Sequence, residues 1–215
     1  MEITTTDLGI SVHNDNYFVF FGNKELCEEN LINVTQQLPI QFMQQTHSNK
    51  ILEFTSFQDY SCDGLTTTQK NVFLAIRTAD CLPIVLIHDQ RIFAIHAGWR
   101  GLVNSILQAT KSYSQFNHKT IAFIGPHIAW KSFEVGLEVV DQAQRALTTM
   151  QINFDHKKLT NAHQNPNKAY LNLSYLAELQ LSSLQIPVKN IHQTKVDTFT
   201  DENWHSYRRE AVNAG

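Results

Sequence analysis

Cysteine, glycine and proline are all sparse in this sequence of 215 residues. Cys27, Cys62 and Cys81 are the only cysteines. An odd number at irregular spacing excludes a disulfide framework and points to a reducing, cytoplasmic setting. Eight glycines and five prolines are too few for a loop-rich scaffold. No Pro/Gly/Ser-rich linker divides the chain, so residues 1–215 read as one domain. The basic residues form no stripe and the net charge is −3, which argues against a nucleic-acid partner. Apolar runs such as Ile84 to Ile87 are far too short to span a bilayer. Met1-Glu2-Ile3-Thr4 has neither the basic nor the apolar segment of a secretory signal. The local zinc signatures C-x-x-C and H-E-x-x-H are missing as well.

What is present is a globular composition, 42% hydrophobic and 17% charged. Tyr17 to Phe21 reads as a strand and Glu25 to Leu38 as a helix ending before Pro39. Ile40 to Met43 and Lys50 to Phe54 read as strands, with His47 on the loop between them. Asp63-Gly64 is a turn signal, and Val72 to Ile76 a strand. Leu82 to Ile87 and Ile92 to Ile95 form a predicted hairpin around Asp89-Gln90, with His88 exposed beside the turn. A turn centred there sets Cys81 opposite Gly98, with His96 two residues along on the same face. Diagonal neighbours of this kind lie within ~7–8 Å. Leu102, Ile106, Ala109 and Tyr113 mark a helix after Gly101. Thr120 to Ile124 is a strand, Phe133 to Leu147 and Leu171 to Leu184 are helices, and Val188 to Gln193 is a last strand. Asn153 to Lys168 is polar and reads as a surface loop. Interleaved helices with adjacent hairpins predict an α+β fold with mixed sheets.

His47, Cys81 and His96 each lie at the edge of a strand-like segment. Two imidazoles and a thiolate suit zinc, usually tetrahedral, and three protein ligands leave the open position of a catalytic site. Cys62 as a fourth ligand would close it. The same residues also suit a thiol active site, with Cys81 as nucleophile and His96 as base. Against both stand ordinary alternatives: a cysteine as a small core hydrophobe, histidines as hydrogen-bonded structural residues. Cys27, on the predicted amphipathic helix, reads as core.

Gln45-Thr46-His47-Ser48, Thr78-Ala79-Asp80-Cys81-Leu82-Pro83-Ile84 and His96-Ala97-Gly98-Trp99-Arg100-Gly101 resemble the signatures of the YfiH family, also called the laccase-domain or multicopper polyphenol oxidoreductase family. Asp63-Gly64-Leu65-Thr66, Ile124-Gly125-Pro126, Phe133-Glu134-Val135-Gly136 and Ser206-Tyr207-Arg208-Arg209 resemble further family segments in the same order. The resemblance implies an α-β-β-α layered fold, with a metal held by His47, Cys81 and His96. It also implies phosphorolysis of adenosine, inosine, guanosine and methylthioadenosine, and deamination of adenosine, so purine nucleosides and phosphate are the expected partners. The chain departs from the family pattern in three places. The Gly-Phe-x-x-Arg-x-Gly-Gly element is reduced to Phe21-Gly22-Asn23-Lys24. His127 stands where many members have cysteine. Val196 to Thr200 carries no cysteine.

On this reading zinc is the expected metal, and Asp80 and Asp63 are candidate acid/base groups. Asp63 equally reads as the maker of its turn. Phosphate needs an anion cradle. The turn from Gly98 to Gly101 opens a helix, and Arg100 adds a bidentate clamp. Arg77 and Arg208 are further candidate clamps, and His127 is a candidate proton donor or supporting partner. Copper is the alternative metal, with polyphenol oxidation as its activity. None of the ten histidines forms the His-x-His pair from which a trinuclear copper cluster is built. A cysteine hydrolase acting on cell-wall precursors and a non-catalytic zinc-stabilised binding module complete the alternatives. Oligomeric state is not readable from the sequence.

Overall fold

A computed structural model describes residues 1–213. The strands and helices follow in chain order. β1 (Glu2–Thr6), β2 (Gly9–Asn14) and β3 (Tyr17–Gly22) precede α1 (Glu28–Val34), β4 (Ile40–Phe42) and β5 (Ile51–Glu53). Next come β6 (Gly64–Thr67), β7 (Phe73–Ala75), β8 (Leu82–His88), β9 (Arg91–Ala97), α2 (Trp99–Val103) and α3 (Ile106–Ala109). β10 (Ile121–Ile124), β11 (Glu134–Gly136), α4 (Leu137–Thr149), α5 (His156–Leu159) and β12 (Thr160–Ala162) follow. The chain closes with β13 (Lys168–Leu171), α6 (Leu173–Ser183), β14 (Ile191–Gln193) and α7 (Tyr207–Asn213).

A six-stranded mixed sheet, β14-β10-β8-β9-β6-β5, organises the molecule. Its outer pairs β14/β10 and β6/β5 are parallel and its inner pairs antiparallel. Alternation along β8 and β9 gives the sheet two different faces. Leu82, Ile84, Leu86, Phe93, Ile95 and Ala97 pack with apolar residues of α2, α3, α4 and α6 in the largest core cluster. Val85, Ile87 and Phe123 look the other way and pack with Ile10, Val12, Val19 and Phe21 of the three-stranded β1-β2-β3 sheet and with Trp204. Met43, Phe54, Tyr60, Cys62 and Leu65 form a third cluster. Full burial of each large apolar side chain is worth about 1.5–3 kcal/mol. Helices, large sheet and the β1-β2-β3 sheet thus lie in successive layers of an α+β fold, with Val135, Ala169 and Leu171 of the β11-β13-β12 sheet on the helix side. No helix among the described residues is long and apolar enough to cross a membrane.

The predicted hairpin has the expected register: Leu82 faces Ala97 and Pro83 faces His96. Other expectations need correction. The helix read from Glu25 to Leu38 is confined to Glu28–Val34, because Gln36 and Gln37 take positive φ. The helix read from Phe133 starts at Leu137, since Glu134–Gly136 pairs with β13. Leu171 likewise ends β13, and α6 begins at Leu173. The loop read from Asn153 to Lys168 contains α5 and β12. The helix after Gly101 begins at Trp99 and breaks at Ser105, whose φ is 67°. Val188–Asn190 is a 3-10 turn rather than the start of a strand. Gly64 opens β6 instead of completing a free turn. His88 is buried, with Nδ1 2.8 Å from the Thr120 hydroxyl. Cys27 is exposed at the N-terminus of α1 rather than in a core.

Candidate metal centre

A buried carboxylate organises the site. Asp63, immediately before β6, is fully buried. A charge so placed is tolerated only when its oxygens are saturated with donors. Backbone N–H groups of Thr46, His47 and Ser48 donate to it at 3.1, 3.0 and 2.7 Å. The hydroxyls of Thr46 and Ser48 add bonds at 3.3 and 2.7 Å. His96 Nδ1 completes the set at 2.8 Å. Burial alone would raise its pKa; the hydrogen bonds from His96, Ser48 and Thr46 outweigh burial and hold the carboxyl at about 2. The loop is thereby wound so tightly that His47 adopts φ 59°.

The same carboxylate sets the chemistry of His96. An ionised carboxylate accepts, so Nδ1 carries the proton and Nε2 is the free ring nitrogen. Burial lowers the pKa of His96 more than Asp63 restores it, which favours the neutral ring a metal requires. Cys81 lies just before β8, after Asp80 with φ 80°. Its Sγ is 3.9 Å from His47 Nε2. The donor atoms of His47, Cys81 and His96 all lie within 4.8 Å of one another. The two imidazole rings meet edge to face, 4.8 Å between centroids. A tetrahedral ion with nitrogen at ~2.0–2.1 Å and sulfur at ~2.3 Å keeps such atoms roughly 3.3–3.6 Å apart. Small side-chain adjustments close that gap, so the donor set fits an ion. Burial, with Asp80 and Asp63 adding to it, pushes the Cys81 thiol up to about 12, against a lowering effect of Arg100. A cation at the triad reverses that preference and takes the thiolate. His96 is buried, Cys81 half-buried and His47 exposed, so the cluster is open on one side.

Gly98 is part of this geometry. A Cβ there would stand 2.9 Å from Cys81 Sγ and 3.2 Å from His47 Cδ2. Cys62 is not in the cluster; it is buried with Met43, Phe54 and Tyr60.

Residues 2–215 match the family described as multi-copper polyphenol oxidoreductase laccase. The chain belongs to that family. Among its relatives, a purine nucleoside phosphorylase of Campylobacter jejuni is 31% identical over 93% of this chain and 79% of its own. One of Haemophilus influenzae is 32% identical over 81% of this chain and 70% of its own. A protein named adenosine deaminase RL5, from an unknown prokaryotic organism, is 31% identical over 71% of this chain and 59% of its own. The crystal structure of the Bacillus licheniformis YfiH protein superposes with a TM-score of 0.74 at 20% identity, covering 90% of this chain and 88% of its own. The laccase-domain fold, and membership of an enzyme family, are therefore properties of this chain.

Within this laccase-domain framework the other candidate residues scatter. Asp80 Oδ1 accepts from the Thr198 hydroxyl at 2.7 Å and Oδ2 from the Arg208 backbone N–H at 2.7 Å. It ties the end of the chain to the Cys81 turn. Arg100 is exposed, its guanidinium 4.6 Å from the Trp99 ring, and its charge reaches Cys81. The helix behind it, α2, has only five residues, too short for the dipole expected there. Arg77 is exposed over the Phe42 ring at 4.2 Å. Its backbone is pinned by two bonds to the Gln45 amide, at 2.7 and 2.8 Å. The Arg208 guanidinium donates to the Glu134 carbonyl at 2.9 Å. His127 is buried, bonded to the Gly125 carbonyl and to Ser174, and lines a separate cleft that includes none of the triad. Thr46, Ser48 and Gly98 lie in segments that resemble family signatures, but nothing in those residues themselves marks them as supports of the metal ligands. Only the Asp-Gly pair ahead of a Leu-Thr run hints at the carboxylate that binds the Thr46–Ser48 loop.

Proposed function

We propose that this chain is a metal-dependent purine nucleoside enzyme. It cleaves adenosine, inosine, guanosine and methylthioadenosine with phosphate to the free base and pentose 1-phosphate, and it deaminates adenosine. The observation that carries the reading is the convergence of His47, Cys81 and His96 with one side open. The names of the Campylobacter and Haemophilus relatives and of adenosine deaminase RL5 support the substrate class.

His47, Cys81 and His96 would hold the ion, and zinc suits two imidazoles and one thiolate with three protein ligands. When bound, zinc would supply a Lewis acid at the open side of the triad. Asp63 fixes the His96 ring and the His47 loop; enclosed by six donor groups, its carboxylate serves orientation rather than proton transfer to substrate. Asp80 holds the Cys81 turn against the C-terminal segment. Arg100, exposed and close enough for its charge to reach Cys81, is the phosphate clamp. Arg208, engaged with Glu134 and Asp80, supports the wall of the site. Arg77 and His127 have lesser claims on substrate, one lying over Phe42 and the other in a separate cleft.

Elemental analysis combined with chromatography of adenosine tests this. Purified protein should carry zinc near one equivalent, form adenine only when phosphate is present, and form inosine without it. Cys81→Ala should lose both the metal and the turnover. Unchanged turnover in that variant would falsify the assignment. Because the family description names copper and polyphenols, a phenol oxidation assay belongs beside it. Copper content with oxygen consumption, and no nucleoside turnover, would move the reading there.

A further inference from the structure

A nucleophile and a base meet in the cleft that lies apart from the metal centre. His127 is buried just beyond the end of β10. Its Nδ1 is 2.7 Å from the Gly125 carbonyl oxygen. A carbonyl only accepts, so Nδ1 carries the ring proton and Nε2 is left as an acceptor. That acceptor faces Ser174 Oγ at 2.5 Å, so the serine hydroxyl donates to it. The order nucleophile, base and orienting acceptor is the arrangement that activates a serine. Burial keeps the ring neutral, as a base must be.

The surroundings fit a reacting carbonyl. Ser174 is the second residue of α6, an eleven-residue helix whose first-turn N–H groups have no carbonyl four residues back within the helix. Asn172 takes up the N–H of Tyr175, while those of Leu173 and Ser174 have no hydrogen-bond acceptor among the described residues. The cleft measures about 510 Å³ and is bordered by Asn172, Gln193, Thr194 and Lys195. That volume suits a small molecule. Thr194 lines this cleft, and its hydroxyl is buried with no hydrogen-bond partner among the described residues.

We propose that Ser174 and His127 form a second catalytic site, a serine–histidine dyad that hydrolyses small polar carboxylic esters. Ser174 Oγ attacks the ester carbonyl carbon and its proton passes to His127 Nε2. The carbonyl oxygen takes the negative charge against the α6 N–H groups. The bond to the alkoxy oxygen then breaks, and that oxygen leaves with the proton from Nε2. Water, deprotonated by the same nitrogen, releases the acid from Ser174 and restores the hydroxyl.

Labelling with a fluorophosphonate, located by peptide mass spectrometry, and hydrolysis of p-nitrophenyl acetate test the site. The label should fall on Ser174. Ser174→Ala should abolish labelling and reduce hydrolysis by about 100-fold or more, the usual reach of an activated base. Cys81→Ala should retain both, which separates this site from the metal centre. Ser174→Cys, which keeps the fold if the alanine variant does not, should be alkylated by iodoacetamide at the introduced thiol. No label on wild type, or wild-type hydrolysis in Ser174→Ala, would overturn the proposal. So would hydrolysis lost in Cys81→Ala but kept in Ser174→Ala, which would assign it to the metal centre.

Discussion

At Gly98 a single methyl group decides whether the triad can close. The backbone there has φ −69°, open to any residue, so alanine carries no conformational penalty. The methyl would nevertheless press on Cys81 Sγ at 2.9 Å. Gly98→Ala should keep the fold, at a cost of about 1–3 kcal/mol for overpacking, while weakening metal affinity at least about 10-fold. Competition with a chromophoric chelator measures the affinity and urea unfolding the stability. Asp63 allows a different test. Its carboxyl is held at about 2, below the ordinary carboxylate value of the unfolded chain. Its contribution is therefore complete above about pH 4 and is lost as pH falls toward 2, amounting to about 2 kcal/mol. Asp63→Asn should be less stable by roughly that amount near pH 6, and the difference should shrink steadily as the medium is acidified below pH 4. A constant difference across that range would show that the charge of Asp63 contributes nothing.

Among the elements, the β8–β9 hairpin is legible in the sequence because two apolar runs flank a short polar turn, and the turn alone fixes register. That register is enough to bring Cys81 and His96 to one face. The His47 loop is legible as a connection between two strands and as a segment resembling a family signature, but not in its conformation. Other elements are hidden for separable reasons. β1 is Thr-rich and exposed on most positions, so it lacks the apolar alternation of a strand. β11 lies directly against α4, and its Val135 fits the helix period as well as the strand period. The break between α2 and α3 carries no glycine or proline; Ser105 takes the left-handed conformation because Leu102, Ile106 and Leu107 are all drawn into the core. That conformation costs a non-glycine residue about 1–2 kcal/mol. Ser105→Gly should accordingly gain about 0.5–1 kcal/mol in urea unfolding without changing metal affinity. A loss of stability would mean that the serine side chain is needed at the break.

At the scale of the whole molecule, the candidate centre exists only when distant parts of the chain are in place. His47 comes from the loop between β4 and β5, Cys81 from the residue just before β8 and His96 from β9. Asp63 joins two of them, and Asp80 ties the third to Thr198 and Arg208 near the C-terminus. The unfolded chain has no such cluster, so an ion that binds here binds the native state almost alone. Linkage then requires stabilisation by about 2.7 kcal/mol when the free metal stands at 100 times its dissociation constant. In a chain of this length each kcal/mol moves the midpoint by about 2–4 °C, so a chelator should lower the thermal midpoint by roughly 5–10 °C. Cys81→Ala should unfold near the lower midpoint and show no further response to chelator, because its site has already lost the sulfur. Ser174→Ala should respond as the wild type does, since its hydroxyl lies in another cleft. A wild-type midpoint that ignores both chelator and added zinc would mean that the three donors, close as they are, hold no ion that matters to the fold.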